Sequence, residues 1–291
     1  MKFEGASIEL PPELTESRRA ALLSLLTDED PVVYQAVRLK ILSFGPGAAG
    51  WLRPHALSRE PALRRRALEI VQVLDRQEAD NAFLAFCLKQ GEQFDLEEGA
   101  WLLALTQYPD INAEGHRALM DSFAGDLRER LDLGAQPKSI LTTINHYLFE
   151  ELGFNGNNVD YYDPENSYLN RVIDRRTGNP ISLCLLYMLV ARRLQLPVAG
   201  IGLPGHFICR FQSSAVEMFI DVFNRGKILT KADCVQYLVH ANFRVRDDYL
   251  APVSPRRLLL RVCANLHQIY IHLNLPAEAT RLQRYLVALG R

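Results

Sequence analysis

Cys184, His206 and Asp221 together carry the three side-chain types of a nucleophilic triad. In such a triad a thiolate attacks a carbonyl carbon, an imidazole accepts and returns the proton, and a carboxylate holds the imidazole in the required tautomer. Whether the chain is an enzyme therefore depends on whether Cys184 is a nucleophile or a small apolar residue packed inside the protein.

The histidine and the aspartate lie on two segments that are predicted to form a β-hairpin. GHFICRF (205–211) and VEMFID (216–221) are joined by four residues, a common length for a hairpin loop. This length predicts an antiparallel register with four facing pairs: Phe211 with Val216, Arg210 with Glu217, Ile208 with Phe219, and His206 with Asp221. This register places the Arg210–Glu217 ion pair and the His206–Asp221 pair on the same face of the hairpin. Such a pair supplies a general base and its orienting carboxylate, although a purely structural pair would have the same spacing.

Cys184 lies in a segment, residues 176–198, that is predicted to be a turn followed by one amphipathic helix. Asn179 is a favourable N-cap and Pro180 suits the first helical position, which puts Ser182 third and Cys184 fifth. Free backbone N–H groups and the helix dipole stabilise a thiolate in the first turn, and Cys184 is one turn further along. Its neighbours are apolar, and burial raises the pKa of a thiol. These local features favour a packing cysteine, with Ser182 as a hydroxyl that satisfies first-turn N–H groups.

The overall composition is typical of a globular chain, with 48% hydrophobic and 23% charged residues. The formal net charge is −1, so we expect neither nucleic acid nor an anionic membrane surface as a partner. No stretch approaches eighteen apolar residues, so no membrane span is predicted. The stretch MKFEGASIELPPEL has no continuous apolar segment behind its lysine, so no signal peptide is expected.

Neither the cysteines nor the histidines have the spacing of a metal site. The five cysteines, an odd number, are scattered without a CxxC motif, which argues against a disulfide framework and against zinc. The seven histidines form no HExxH or HxH motif. We therefore expect no metal, no cofactor and a reducing, cytoplasmic environment.

The rest of the chain is predicted to be mostly helical and to flank a middle domain. Residues 28–42 and 58–74 share a sequence pattern: a polar turn that contains proline, followed by a helix. This weak internal repeat is similar to HEAT-type helical pairs. Breaks near 135 and 253 divide the chain into three predicted segments: a HEAT-like region at 1–135, the middle domain at 136–252, and a helical hairpin similar to a tetratricopeptide (TPR) unit at 253–291. A single hairpin cannot bury its own apolar face, so we expect it to pack on the middle domain or on a partner.

Six segments of the chain carry a family resemblance: LFEELGFNGN (148–157), YYDPENSYLNRVIDRRTGNPISL (161–183), VARRLQLPVAGIGLPGHFICRF (190–211), IDVFNRGKIL (220–229), SPRRLLLRVCANLHQIY (254–270) and, upstream, FDLEEGAWLLALTQYPDIN (94–112). Together they are similar to the SirB-type family of bacterial transglutaminase-like/TPR proteins. The resemblance implies a predominantly helical α+β fold with a transglutaminase-like (papain-like) core, in which a helix packs on an antiparallel sheet.

The resemblance also implies positions for the triad. In catalytic transglutaminase-like domains a cysteine follows a glycine at the start of the core helix, and a histidine and an aspartate come from adjacent strands. His206 and Asp221 match the last two, whereas the cysteine position falls on Pro180, which has no nucleophile. SirB-type proteins commonly have Gly-x-Pro-Ile-Ser-Leu at this point, as residues 178–183 do here. The resemblance therefore implies a degenerate, non-catalytic domain with a regulatory role in bacteria.

Two functions from different classes remain open. The favoured one is a protein- or peptide-binding regulatory module, because helical-repeat surfaces usually recognise proteins or peptides. The alternative is a cysteine-dependent amide hydrolase or acyl-transfer enzyme, in which Cys184 attacks, His206 is the base and Asp221 orients it. The alternative needs a rearranged helix start, since Cys184 lies about 6 Å beyond Pro180 along the helix axis.

Five further residues are candidates for contacting a ligand in a cleft around His206 and Asp221. Asn179 and Ser182 lie at the helix start, whereas Tyr161, Tyr162 and Asn166 lie in a loop that offers two tyrosines together with acidic and amide groups. The competing interpretation is that this loop only covers the core.

Overall fold

A computed structural model of the chain describes residues 15–89, 94–244 and 246–291, with the backbone but not the side chain of residue 247. The described residues up to Asn81 form one compact unit, and those from Ala82 onward form another. Residues 1–14, on which the expectation of no signal peptide rests, lie outside the described residues.

The first unit is helical. It contains α1 (Glu16–Leu26), α2 (Pro31–Leu42), a short α3 (Ala49–Leu52) and the part of α4 (Pro61–Cys87) that precedes residue 82. In both copies of the repeat, the helix begins with proline in its first turn, at Pro31 and at Pro61, as the sequence predicted. Buried leucine, isoleucine and alanine side chains from these helices form a separate small core.

The second unit combines helices with two small sheets. Its helices are α5 (Leu96–Gln107), α6 (Ala113–Arg130), α7 (Pro137–Asn145), α8 (Leu169–Arg175), α9 (Pro180–Arg193), α10 (Lys231–His240), α11 (Pro255–His272) and α12 (Pro276–Leu289). A parallel two-stranded pair joins β1 (Asn155–Gly156) to β2 (Thr177–Gly178). An antiparallel sheet has the order β3 (Val198–Ile201), β4 (Ile208–Gln212), β5 (Glu217–Asp221) and β6 (Lys227–Leu229). The expectation of a mainly helical α+β fold is confirmed.

The predicted hairpin between β4 and β5 is present, but its predicted register is wrong by two residues. Gln212, not Phe211, closes the ladder and pairs with Glu217. The physical reason is the turn: the Ser213 backbone N–H donates to the Val216 carbonyl (3.0 Å), and the Ser213 hydroxyl accepts from the Val216 N–H (3.2 Å). A shift of two residues leaves each side chain on its predicted face, because side chains alternate with a period of two.

The described residues of the second unit form two hydrophobic cores: a small one between α10 and the antiparallel sheet, and a large one that joins most of the other elements. Helix α9 lies at the centre of the large core, and residues 180–191 are buried except at Met188. The same core includes Trp101 from α5, Phe207 beside β4 and Leu266 from α11, so residues 82–135 and 253–291 share it with the middle segment. The predicted tail hairpin packs on this unit through α11, which contacts α5 and α9. The segment boundaries at 135 and 252 stay predictions.

Candidate functional site

The start of α9 has the local structure that the sequence predicted. Asn179 is the N-cap, and its Oδ1 accepts from the backbone N–H groups of Ile181 (3.1 Å) and Ser182 (3.0 Å). The Ser182 hydroxyl accepts in return from the Asn179 N–H (3.1 Å), completing a capping box, and Pro180 occupies the first helical position. Pro180 therefore stands at the helix position where a first-turn thiolate would be stabilised, and it offers no side-chain nucleophile.

A buried polar network ties this helix start to the preceding loop. The Asn166 carbonyl accepts from the Ser182 hydroxyl (2.5 Å) and from the Asn179 N–H (3.1 Å). The Asn179 amide also donates to the Ser167 hydroxyl (2.8 Å), and all four residues are buried. The polar atoms of Asn166, Asn179 and Ser182 are thus engaged within the protein, which favours a structural role. Their assignment as ligand-binding residues stays a prediction.

Cys184 is fully buried, with no exposed surface. Its thiol donates to the carbonyl oxygen of Phe207 (3.5 Å), and the Cys209 thiol donates to the carbonyl of Cys184 (3.7 Å). Burial, reinforced by the neighbouring Cys209 and by the charge of Asp221, raises the pKa of Cys184 well above its ordinary value. The geometry brings Cys184 next to the segment that carries His206, but it stabilises the protonated thiol and not the thiolate.

His206 and Asp221 form a hydrogen-bonded dyad. The two are not a facing pair in the sheet, yet Nε2 of His206 lies 2.9 Å from Oδ1 of Asp221. Asp221 also accepts from the side-chain amide of Asn224 (2.8 Å) and from its backbone N–H (3.3 Å). Burial opposes ionisation of Asp221, but His206 and the Asn224 hydrogen bonds outweigh it, so the pKa of Asp221 lies below its ordinary value. The predicted proximity of His206 to Asp221 is present, although not as a facing pair in the sheet, and a catalytic role for the two stays a prediction.

Two residues that the sequence reasoning missed hold the loop that carries His206. Arg261 of α11 donates from Nη2 to the carbonyls of Leu203 (2.7 Å) and His206 (2.9 Å). The Tyr237 hydroxyl of α10 donates to the Pro204 carbonyl (3.2 Å). Arg261 is part of the SPRRLLLR segment, but nothing local to that segment indicates a contact with residues more than fifty positions earlier.

Gly202 and Gly205 make this arrangement possible. A Cβ atom at residue 202 would lie 2.6 Å from Nη1 of Arg261, so the guanidinium packs closely on Gly202 and would have to shift to admit a side chain there. Gly205 has φ +75°, a conformation in the left-handed region that disfavours other residues, and it turns the chain directly before His206. The GLPGH loop is therefore shaped by the tail hairpin as well as by its own glycines.

Aromatic rings extend outward from the dyad. The ring centre of His206 lies 6.3 Å from that of Phe223, and Phe223 lies 6.3 Å from Tyr161. Tyr161 is 5.4 Å from Tyr162, which in turn is 5.0 Å from His272 of α11. We call these five residues the aromatic ribbon. The predicted binding residues Tyr161 and Tyr162 are exposed and belong to it, unlike the buried Asn166, Asn179 and Ser182.

The five cysteines are free and buried. Within residues 15–89, 94–244 and 246–291, no group of three or more His, Cys, Asp or Glu side chains is placed to hold a metal ion. Of the helices in this described part, none combines the length and the apolar composition needed to cross a bilayer.

Related sequences identify the family of this chain. Residues 114–264, about half of the chain, match the transglutaminase-like superfamily. A UPF0162 protein of Xylella fastidiosa (strain 9a5c) is 37% identical over 196 residues, which cover 65% of this chain and 70% of that protein. UPF0162 protein PA3419 of Pseudomonas aeruginosa is 27% identical over 210 residues, 70% of this chain and 75% of that protein. The chain therefore belongs to the transglutaminase-like superfamily and, within it, to the UPF0162 family.

A part of the chain is also similar to a segment of a longer eukaryotic protein. F-box only protein 21 of Mus musculus is 37% identical over 135 residues, which are 44% of this chain but only 21% of that protein. No solved structure is significantly similar to the chain.

Proposed function

We propose that this chain is a protein- or peptide-binding regulatory module built on a transglutaminase-like domain that has lost its nucleophile. The observation that carries the proposal is that neither of the two candidate nucleophile positions holds an activated thiol. Pro180 occupies the helix start, and the Cys184 thiol is sealed in the core with a raised pKa. The His206–Asp221 dyad then serves as a hydrogen-bonding element of a binding surface, since it has no activated thiol to deprotonate.

Two further observations support binding over catalysis. The similarity to 21% of F-box only protein 21 indicates that this domain type is used as a module inside a longer chain. The tail hairpin contacts the dyad loop through Arg261 and supplies His272 to the aromatic ribbon, so it connects the two parts of the proposed binding surface. A regulatory role like that of the SirB-type proteins, a peptide or protein partner and a cytoplasmic location are parts of the same proposal.

The competing function is a thiol enzyme that uses Cys184, His206 and Asp221. One observation favours it: the Cys184 thiol hydrogen-bonds to the carbonyl of the residue that follows His206, so the sulfur lies close to the dyad. Catalysis would require the thiol to lose that hydrogen bond and the helix start to open.

Alkylation of the native protein with iodoacetamide, read by peptide mass spectrometry from pH 5.5 to 9, separates the two functions. Cys263 is the matched reference, because it is also fully buried and burial raises its pKa in the same way. We expect Cys184 and Cys263 to react equally slowly, and both to react fast once the protein is unfolded. Fast alkylation of Cys184 below pH 7 that slows in His206→Ala would refute the proposed function and favour the thiol enzyme.

A further inference from the structure

The aromatic ribbon is a row of rings in mainly edge-to-face contact, half-buried at His206 and Phe223 and exposed at Tyr161, Tyr162 and His272. Tyr161 and Tyr162 are 40% and 54% exposed, their rings meet edge to face at 83°, and His272 at the far end is also exposed. Successive ring centres are 5.0–6.3 Å apart, so from Phe223 to His272 the ribbon has at most the length of about five residues of a polyproline II helix. Exposed large rings in a continuous row mark a recognition surface more often than a chance cluster.

The polar groups along the ribbon fit an uncharged ligand. Among the described residues, neither the Tyr161 nor the Tyr162 hydroxyl has a hydrogen-bond partner, so both phenols are available to donate to carbonyl groups. At the inner end Asp221 is already bound by His206 and Asn224. Asp221 therefore offers no free carboxylate to a cationic ligand. The positive charge of Arg261 is near enough to lower the pKa of Tyr161, although burial and Tyr162 raise it overall.

A cavity is also present in the tail hairpin, the element that supplies His272 to the ribbon. It has a volume of about 590 Å³ and lies between α11 and α12. Its walls include Ile271 and Asn274, which flank His272 in sequence, and the exposed Leu275.

We propose that the aromatic ribbon binds an extended, proline-rich segment of a partner protein, with pyrrolidine rings on Tyr161, Tyr162 and Phe223 and the two phenols donating to its backbone carbonyls. Polyproline II segments present apolar rings and unpaired carbonyls together, and they dock on aromatic-lined surfaces at a low entropic cost because the helix is preformed. The inference rests on the proposed binding function and names the chemistry of the partner. The exposed Asp160 precedes Tyr161 in the sequence, and its carboxylate would attract a cationic ligand. The test must therefore distinguish a proline-rich segment from a lysine-rich one.

The test is a titration of the full chain into fluorescein-labelled decaproline, followed by fluorescence anisotropy. A Gly-Ser decapeptide and a Lys-Gly decapeptide with the same label are the peptide controls. The variants are Tyr161→Ala, Tyr162→Ala and Tyr162→Phe, with Phe243→Ala as the matched control, since Phe243 is 40% exposed like Tyr161 and lies outside the ribbon. Far-UV circular dichroism confirms that each variant is folded.

We expect saturable binding of decaproline that weakens roughly tenfold in each Tyr→Ala variant, several-fold in Tyr162→Phe, and less than about twofold in Phe243→Ala. The inference is overturned if decaproline does not bind, if Phe243→Ala weakens binding as much as the tyrosine variants, or if the Lys-Gly peptide binds more tightly. These outcomes are independent of the alkylation result. A slow Cys184 with no decaproline binding leaves the proposed function standing and removes only the proline-rich partner.

Discussion

Replacing Arg261 with methionine should loosen the loop that carries His206. The change keeps a long apolar stem but removes the guanidinium that donates to the carbonyls of Leu203 and His206 and lies 5.3 Å from the Phe207 ring centre. Leu203 is buried, so its carbonyl would lose a charged donor where water has little access. The change therefore tests whether α11 supports the dyad.

The expected cost follows from these contacts. Hydrogen bonds from a charged donor contribute about 1.5–3 kcal/mol each, and a cation–π contact adds about 0.5–1 kcal/mol. Burial lowers the pKa of Arg261, which shows that desolvation of the guanidinium offsets part of this gain. We expect the free energy of unfolding to fall by about 2–3 kcal/mol, a large part of the stability of a typical domain.

Urea unfolding followed by circular dichroism measures this loss, and the His206 ring signals in a two-dimensional proton–carbon NMR spectrum report on the dyad itself. Arg257→Met is the matched control, because Arg257 is an exposed arginine one helical turn earlier on α11. Unchanged His206 signals, or a loss within about 0.5 kcal/mol of that in Arg257→Met, would refute the support role of Arg261.

Three further predictions concern single side chains. The pKa of Asp221 is lowered in spite of burial, so its ionised form stabilises the fold above the unfolded-state pKa of about 3.9, and this contribution is lost as the pH falls through the lower folded-state value. The difference in Tm between the natural protein and Asp221→Asn should therefore be largest at neutral pH and shrink towards pH 3; a constant difference contradicts this. Glu97 is buried against Arg193, so Glu97→Gln should cost about 3 kcal/mol in urea unfolding. The cost should be far larger than that of Glu98→Gln, because Glu98 pairs with Arg117 at a half-exposed position; equal costs would contradict this. Cys184→Ala should cost about 1–2 kcal/mol and leave decaproline binding unchanged; lost binding in a folded variant would count against a packing role.

The local parts of the site were predictable because neighbouring residues determine them. Asn179 and Pro180 have the intrinsic preferences of an N-cap and a first helical position, and they occupy those places. The apolar surroundings of Cys184 in the sequence correctly indicated a buried thiol. The predicted hairpin brought His206 close to Asp221, although His206 lies in the loop before β4 and the register was wrong by two residues. That register depends on hydrogen bonds within a four-residue turn, which loop length alone does not determine.

The amino-acid sequence by itself determined the helix start without a nucleophile, the apolar environment of Cys184 and the proximity of an imidazole to a carboxylate. Only the tertiary structure decided what surrounds that pair. Arg261, Tyr237 and His272 reach the dyad loop or the ribbon because α10 and α11 pack on this unit, and each of these contacts joins residues more than thirty positions apart. Side-chain periodicity and capping rules describe interactions over a few residues, whereas contacts at such separations depend on how complete helices pack against the sheet.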